Sequence, residues 1–168
     1  MVAAFLAIGA YAVALPIFLV AALTDFADGY IARRFKQVSK LGATLDPIAD
    51  KLSMLTATVL LAWQGLLPLW LAIAMVGRDV IIVAGALAYR AAFGHLEVAP
   101  TWLSKANTLV EFALLLALMA VGAGWLAEGA WLAGAFLVTA ATVAASGAQY
   151  IAIWGGKALR ERRATKPR

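Results

Sequence analysis

The sequence predicts an all-α polytopic membrane bundle: five full transmembrane helices preceded by a truncated first helix. Three observations carry that expectation. The 168 residues are 64% hydrophobic with a mean hydropathy of +0.89. Only 14% are charged, whereas soluble globular domains carry about a quarter, so an ordinary soluble globule is excluded. Finally, apolar runs of the roughly 20 residues that a bilayer demands recur along the chain, and the connections between them alternate in charge.

Taken in order, residues 1–10 are apolar but too short to span, and residues 1–24 lack the basic n-region of a cleaved signal peptide. The full helices are expected at approximately 12–34, 46–66, 69–92, 102–123 and 130–155. Pro16 falls early in the first of these. Pro47 follows an Asp that is expected to open the second, at the N1 position where proline is preorganised. Gly65 and Pro68, then Gly94 to Pro100, then Gly122 to Gly129 separate the others. The connection after residue 34 is basic (Arg34, Lys36, Lys40), the one around Gln64–Trp70 is uncharged, the next carries Arg90 and Lys105, and the one around Glu128 has no Lys or Arg. The C-terminus is basic again, from Lys157 to Arg168. Basic and non-basic connections therefore alternate as the positive-inside rule requires, with the basic ones cytoplasmic. Trp63, Trp70, Trp125 and Trp131 flank the non-basic connections, where an aromatic belt belongs. Tyr150 and Trp154 are expected at the cytoplasmic boundary of the last helix. Residues 1–155 form one membrane domain on this reading, and 156–168 a partly disordered basic tail able to meet anionic headgroups. The formal charge of +5 is thus a matter of topology and not of nucleic-acid binding. With no cysteine, disulfides and thiolate metal sites are excluded.

Four of the nine acidic residues fall in one 26-residue window beside these apolar runs, and acids there are expensive and usually functional. At about 100° per residue, Asp25, Asp28, Gly29, Ala32 and Arg33 form one stripe of a helix. Asp46 and Asp50 are an i, i+4 pair on a second helix. Two helical arrays of carboxylates joined by a basic loop read as a divalent-metal site for a phosphorylated substrate. A solvated acidic loop would need neither Gly29 one turn from Asp25 nor small Ala32 on the same face.

The string Asp25-x2-Asp28-Gly29-x2-Ala32-Arg33-x8-Gly42-x3-Asp46-x3-Asp50 resembles, at all eight fixed positions, the signature of the CDP-alcohol phosphatidyltransferases. That resemblance implies a six-helix layout, of which the first helix is shortened here and its usual amphipathic leader missing. It further implies release of CMP from CDP-diacylglycerol by an alcohol. Two Mg²⁺ or Mn²⁺ ions would be held by Asp25, Asp28 and Asp46, with Asp50 as general base and a contact to the second ion. Gly29 and Ala32 would let the cytidine nucleotide approach, Arg33 would hold the diphosphate, and Gly42 would shape the turn beneath it. A bacterial inner membrane, a cytoplasm-facing site and a homodimer are implied as well.

For the acceptor, Gly77-Arg78-Asp79-Val80 and Pro100-Thr101-Trp102-Leu103-Ser104-Lys105-Ala106-Asn107-Thr108 look most like the CMP-forming cardiolipin synthases. That implies phosphatidylglycerol as acceptor, with Arg78 and Lys105 as candidate acceptor-binding residues. Phosphatidylglycerophosphate synthases, which use glycerol-3-phosphate, are the alternative. For Arg78 the residues also allow an internal pair with Asp79 or Glu111, and for Lys105 a snorkelling interfacial lysine. A cation transporter using the same acids is the reading from another class. It calls for acids near the midplane on several helices, whereas these cluster at one surface beside Arg33.

Overall fold

The structure is a computed structural model that describes residues 2–35, 42–93 and 101–164, with side chains described at 2–24, 51–92 and 101–157. Among the described residues there are six helices: α1 (Val2–Ala7), α2 (Tyr11–Phe35), α3 (Gly42–Trp63), α4 (Leu69–Phe93), α5 (Trp102–Gly122) and α6 (Trp131–Ala164). Three of them are long and apolar enough to cross a membrane, over Leu69–Ala92, Trp102–Gly122 and Trp131–Lys157. The apolar runs Tyr11–Thr24 and Lys51–Trp63 are shorter and belong to α2 and α3.

Two expected boundaries are corrected. Helix α3 opens at Gly42, four residues ahead of Asp46, so Pro47 lies within the helix and not at its first position. Past the first turn, a proline removes one ladder hydrogen bond and crowds the carbonyl four residues back. Helix α6 runs to Ala164, nine residues past the expected end at 155, so the basic segment begins as helix. Tyr150 and Trp154 fall in the last two turns of the apolar stretch that ends at Lys157. They are buried together with Tyr89, while Trp63, Trp70 and Trp125 stay exposed as belt residues should.

The ends of α3 and α5 follow from their glycines. Gly65 (φ +80°) and Gly124 (φ +72°) adopt the left-handed conformation that ends helices cheaply only at glycine. Behind each, the next N–H reaches back five residues, Leu66 to the Leu61 carbonyl at 3.0 Å and Trp125 to the Ala120 carbonyl at 2.9 Å. At the other ends, the Pro68 carbonyl accepts from Leu71 and Ala72 to start α4. Thr101 caps α5, its Oγ1 accepting from the Ser104 N–H at 3.1 Å.

The chain divides into two compact units, Met1–Ala72 with Phe112–Ala130, and Ile73–Glu111 with Trp131–Arg168. In the first, α1 and α2 both pack on α3. The Tyr11 hydroxyl donates to Gln64 Oε1 at 2.6 Å, Gln64 Nε2 donates to the Leu6 carbonyl, and Phe18 stacks on Phe112 with centroids 5.3 Å apart. In the second, Trp154 lies against Gly85 on α4, with Tyr89 at 5.3 Å between centroids. A Cβ at Gly85 would stand 2.8 Å from Trp154 Cδ1. Gly85→Ala is therefore expected to destabilise the protein by about 1–2 kcal/mol, overpacking outweighing the gain of about 1 kcal/mol in helix propensity. Thermal unfolding in detergent measures this, and a raised midpoint would show that the indole has room to move.

Candidate functional site

The signature residues sit on two neighbouring helices of the first unit. Asp25, Asp28, Gly29, Ala32 and Arg33 all lie in the last eleven residues of α2, and Gly42, Asp46 and Asp50 in the first nine of α3. The helical register that makes each set one face is therefore present in the backbone. The side chains of all eight lie outside the described residues. The two helices pack on one another and are joined by only six residues, 36–41. At 1.5 Å per residue, Asp28 and Asp25 stand about 10 and 15 Å back from the end of α2, and Asp46 and Asp50 about 6 and 12 Å in from the start of α3. The two pairs thus occupy overlapping distances from the connection that joins their helices. Elsewhere among the described residues no three His, Cys, Asp or Glu gather where a metal ion could be held.

The candidate acceptor residues belong to the second unit, where side chains are described. Arg78 is 4% exposed, in the middle of α4. Its Nη1 donates to Asp79 Oδ1 at 2.8 Å, Nη2 to Ser104 Oγ at 2.5 Å, and Nε and Nη2 to Ser146 Oγ at 3.2 and 2.7 Å. Of the two internal partners that the sequence allowed, Asp79 is the one taken. Glu111 instead accepts from the buried Asn107 amide at 2.8 Å. Lys105 is exposed, its ammonium 5.1 Å from the centroid of the Trp102 ring one turn back. A cation over an exposed indole face is worth about 0.5–1 kcal/mol.

Ser146 and Gln149 were not singled out from sequence. Gln149 Oε1 accepts from Thr101 Oγ1 at 2.8 Å, joining α6 to the start of α5. One signal pointed to such residues. An arginine inside a membrane helix needs oxygen acceptors on its neighbours, and α6 offers few beyond Thr139, Thr142, Ser146 and Gln149.

The profile of the CDP-alcohol phosphatidyltransferases matches residues 1–146. The chain belongs to that family. A CMP-forming cardiolipin synthase of Streptomyces coelicolor is 36% identical over 118 residues, covering 68% of this chain and 54% of the relative. The human CMP-forming cardiolipin synthase is 33% identical over 154 residues, covering 82% and 51%. A CDP-diacylglycerol–glycerol-3-phosphate 3-phosphatidyltransferase of Pectobacterium atrosepticum is 40% identical over 109 residues, covering 61% and 58%. The chain spans about half the length of the curated relatives it matches. Its likeness to both groups agrees with the family signature and with three long apolar helices in one chain.

Proposed function

We propose that this membrane protein transfers a phosphatidyl group from CDP-diacylglycerol to an alcohol with release of CMP. The observation that carries the reading is the complete eight-position signature, set in helical register on two adjoining helices of a family member. Asp25, Asp28 and Asp46, with Asp50, form an all-oxygen donor set of the kind that takes Mg²⁺ or Mn²⁺ beside phosphates. Four carboxylates brought near one another would repel without cations between them, and two such ions suit that charge. When bound, the ions supply charge neutralisation for the diphosphate and for the departing CMP.

The roles of the protein groups follow the family. Arg33 holds the diphosphate, while Gly29 and Ala32 keep one stripe of α2 low enough for the cytidine nucleotide, and Gly42 opens α3 beneath it. Asp50 takes the proton of the acceptor hydroxyl. The acceptor oxygen forms a bond to the lipid-side phosphorus as the bond to the CMP oxygen breaks. Five full spans and the short α1, a cytoplasm-facing signature, an inner-membrane location in a bacterium and a homodimer complete the reading. Its support is the alternation of basic connections together with the family resemblance.

Phosphatidylglycerol is the acceptor we favour, giving cardiolipin. Likeness to a cardiolipin synthase extends over 82% of the chain, against 61% for the glycerol-3-phosphate enzyme. Purified protein given CDP-diacylglycerol with each acceptor in turn should release CMP with phosphatidylglycerol. Product with glycerol-3-phosphate alone would reject that choice and leave the family reaction standing.

A further inference from the structure

We infer that Arg78 is a positioning residue for the acceptor side: it clamps the first turn of α5 between α4 and α6 and does not itself grip a phosphate. The inference rests on the reaction proposed above. A guanidinium has five N–H donors, and four hydrogen bonds to Asp79, Ser104 and Ser146 already use it. At most one N–H remains, whereas a bidentate phosphate fork needs two. The group is also 4% exposed, so an acceptor would have to displace its serines to reach it.

What the four bonds do instead is mechanical. Ser104 is the third residue of α5 and Ser146 lies in the middle of α6, so a single cation on α4 ties three helices together. Ser146 is fully buried and accepts two of the four bonds. A second tie lies one turn along, from Thr101 to Gln149. Thr101, the cap of α5, and Ser104 in its first turn stand three residues apart, as do Ser146 and Gln149 on one face of α6. Lys105 follows Ser104 directly. It is the exposed cation of this turn, and its position is inherited from the clamp.

Two measurements on the full chain test this. In CMP-release assays, Ser146→Ala should raise the KM for phosphatidylglycerol about tenfold while the KM for CDP-diacylglycerol holds within about twofold. Thr139→Ala is the control: its side chain is buried on the same helix but donates only within α6, to the Ala135 carbonyl, and it should move neither constant. If Arg78 were itself the phosphate ligand, freeing it from Ser146 would leave the acceptor KM unchanged or lower it. That result overturns the inference, as does a common shift of all constants in both variants. Should Ser146→Ala fail to fold, Ser104→Ala carries the same readout with a rise of about threefold, and no rise overturns it.

The second measurement needs no activity, so it survives a failure of the proposed reaction. The chain has no cysteine, and a Thr101→Cys/Gln149→Cys pair reports the approach of α5 to α6 through the rate of bridging by a short bifunctional thiol reagent. Adding Ser146→Ala should slow that bridging. An unchanged rate means that the clamp holds nothing in place.

Discussion

Asp50→Asn is expected to abolish phosphatidyl transfer, lowering CMP release by about 10²- to 10⁴-fold, the span that a positioned general base contributes. The substitution keeps the shape of the side chain and removes both its charge and its ability to take a proton. The backbone of α3 puts residue 50 two helical turns inside the helix, one turn beyond Asp46. Replacing a side chain there leaves the helix start untouched. CDP-diacylglycerol should still bind, because Asp25, Asp28, Asp46 and Arg33 remain. The paired measurement is therefore turnover with nucleotide-lipid binding on the same preparation. Normal turnover removes Asp50 from the base role, and loss of both properties makes it a ligand first and a base second.

Chelation is the other large effect. Stripping divalent ions with EDTA should bring CMP release to background, and returning Mg²⁺ or Mn²⁺ should restore it. The same treatment should lower the thermal midpoint, since an ion that binds the folded state alone at a hundred times its Kd stabilises it by about 2.7 kcal/mol. Turnover that persists in excess chelator would break the carboxylate argument, whatever the fate of the helices. Cation flux across vesicles with no demand for a CDP-lipid would instead favour the transporter reading.

The fold was largely legible because hydrocarbon imposes length. Once a bilayer sets about 20 residues per crossing, the punctuation of Gly65, Pro68 and Gly122–Gly124 marks the ends, and the structure closes α3 and α5 at those glycines. Boundaries inside charged segments were less legible. Basic residues from Lys157 onward are good helix formers, so charge alone did not end α6, and a proline five residues into α3 did not begin it. Trp154 was legible only in part: its aromatic character suits the end of a span, while its packing against Gly85 and Tyr89 depends on helices that the segment itself does not contain.

The signature was readable because eight fixed positions at helical spacing leave little freedom. The Arg78 clamp was not, because a single serine in an apolar helix such as α6 looks like any small packing residue. Arginine announces that partners exist, but their identity depends on which face each neighbouring helix turns inward. That is a property of tertiary packing and not of any one segment.

Biogenesis feels the clamp as well. Arg78 enters the bilayer with Asp79 beside it, but Ser146 is made 68 residues later. At about 5–20 residues per second, that is an interval of roughly 3–14 s. An arginine at the centre of a lipid-exposed helix costs about 2.5–3.5 kcal/mol on insertion scales, and for that interval the nascent α4 carries much of it. Ser104 on α5 arrives first and Ser146 on α6 completes the set, so a ribosome that stalls before Ser146 leaves two of the four bonds unmade and α4 less firmly held in the membrane.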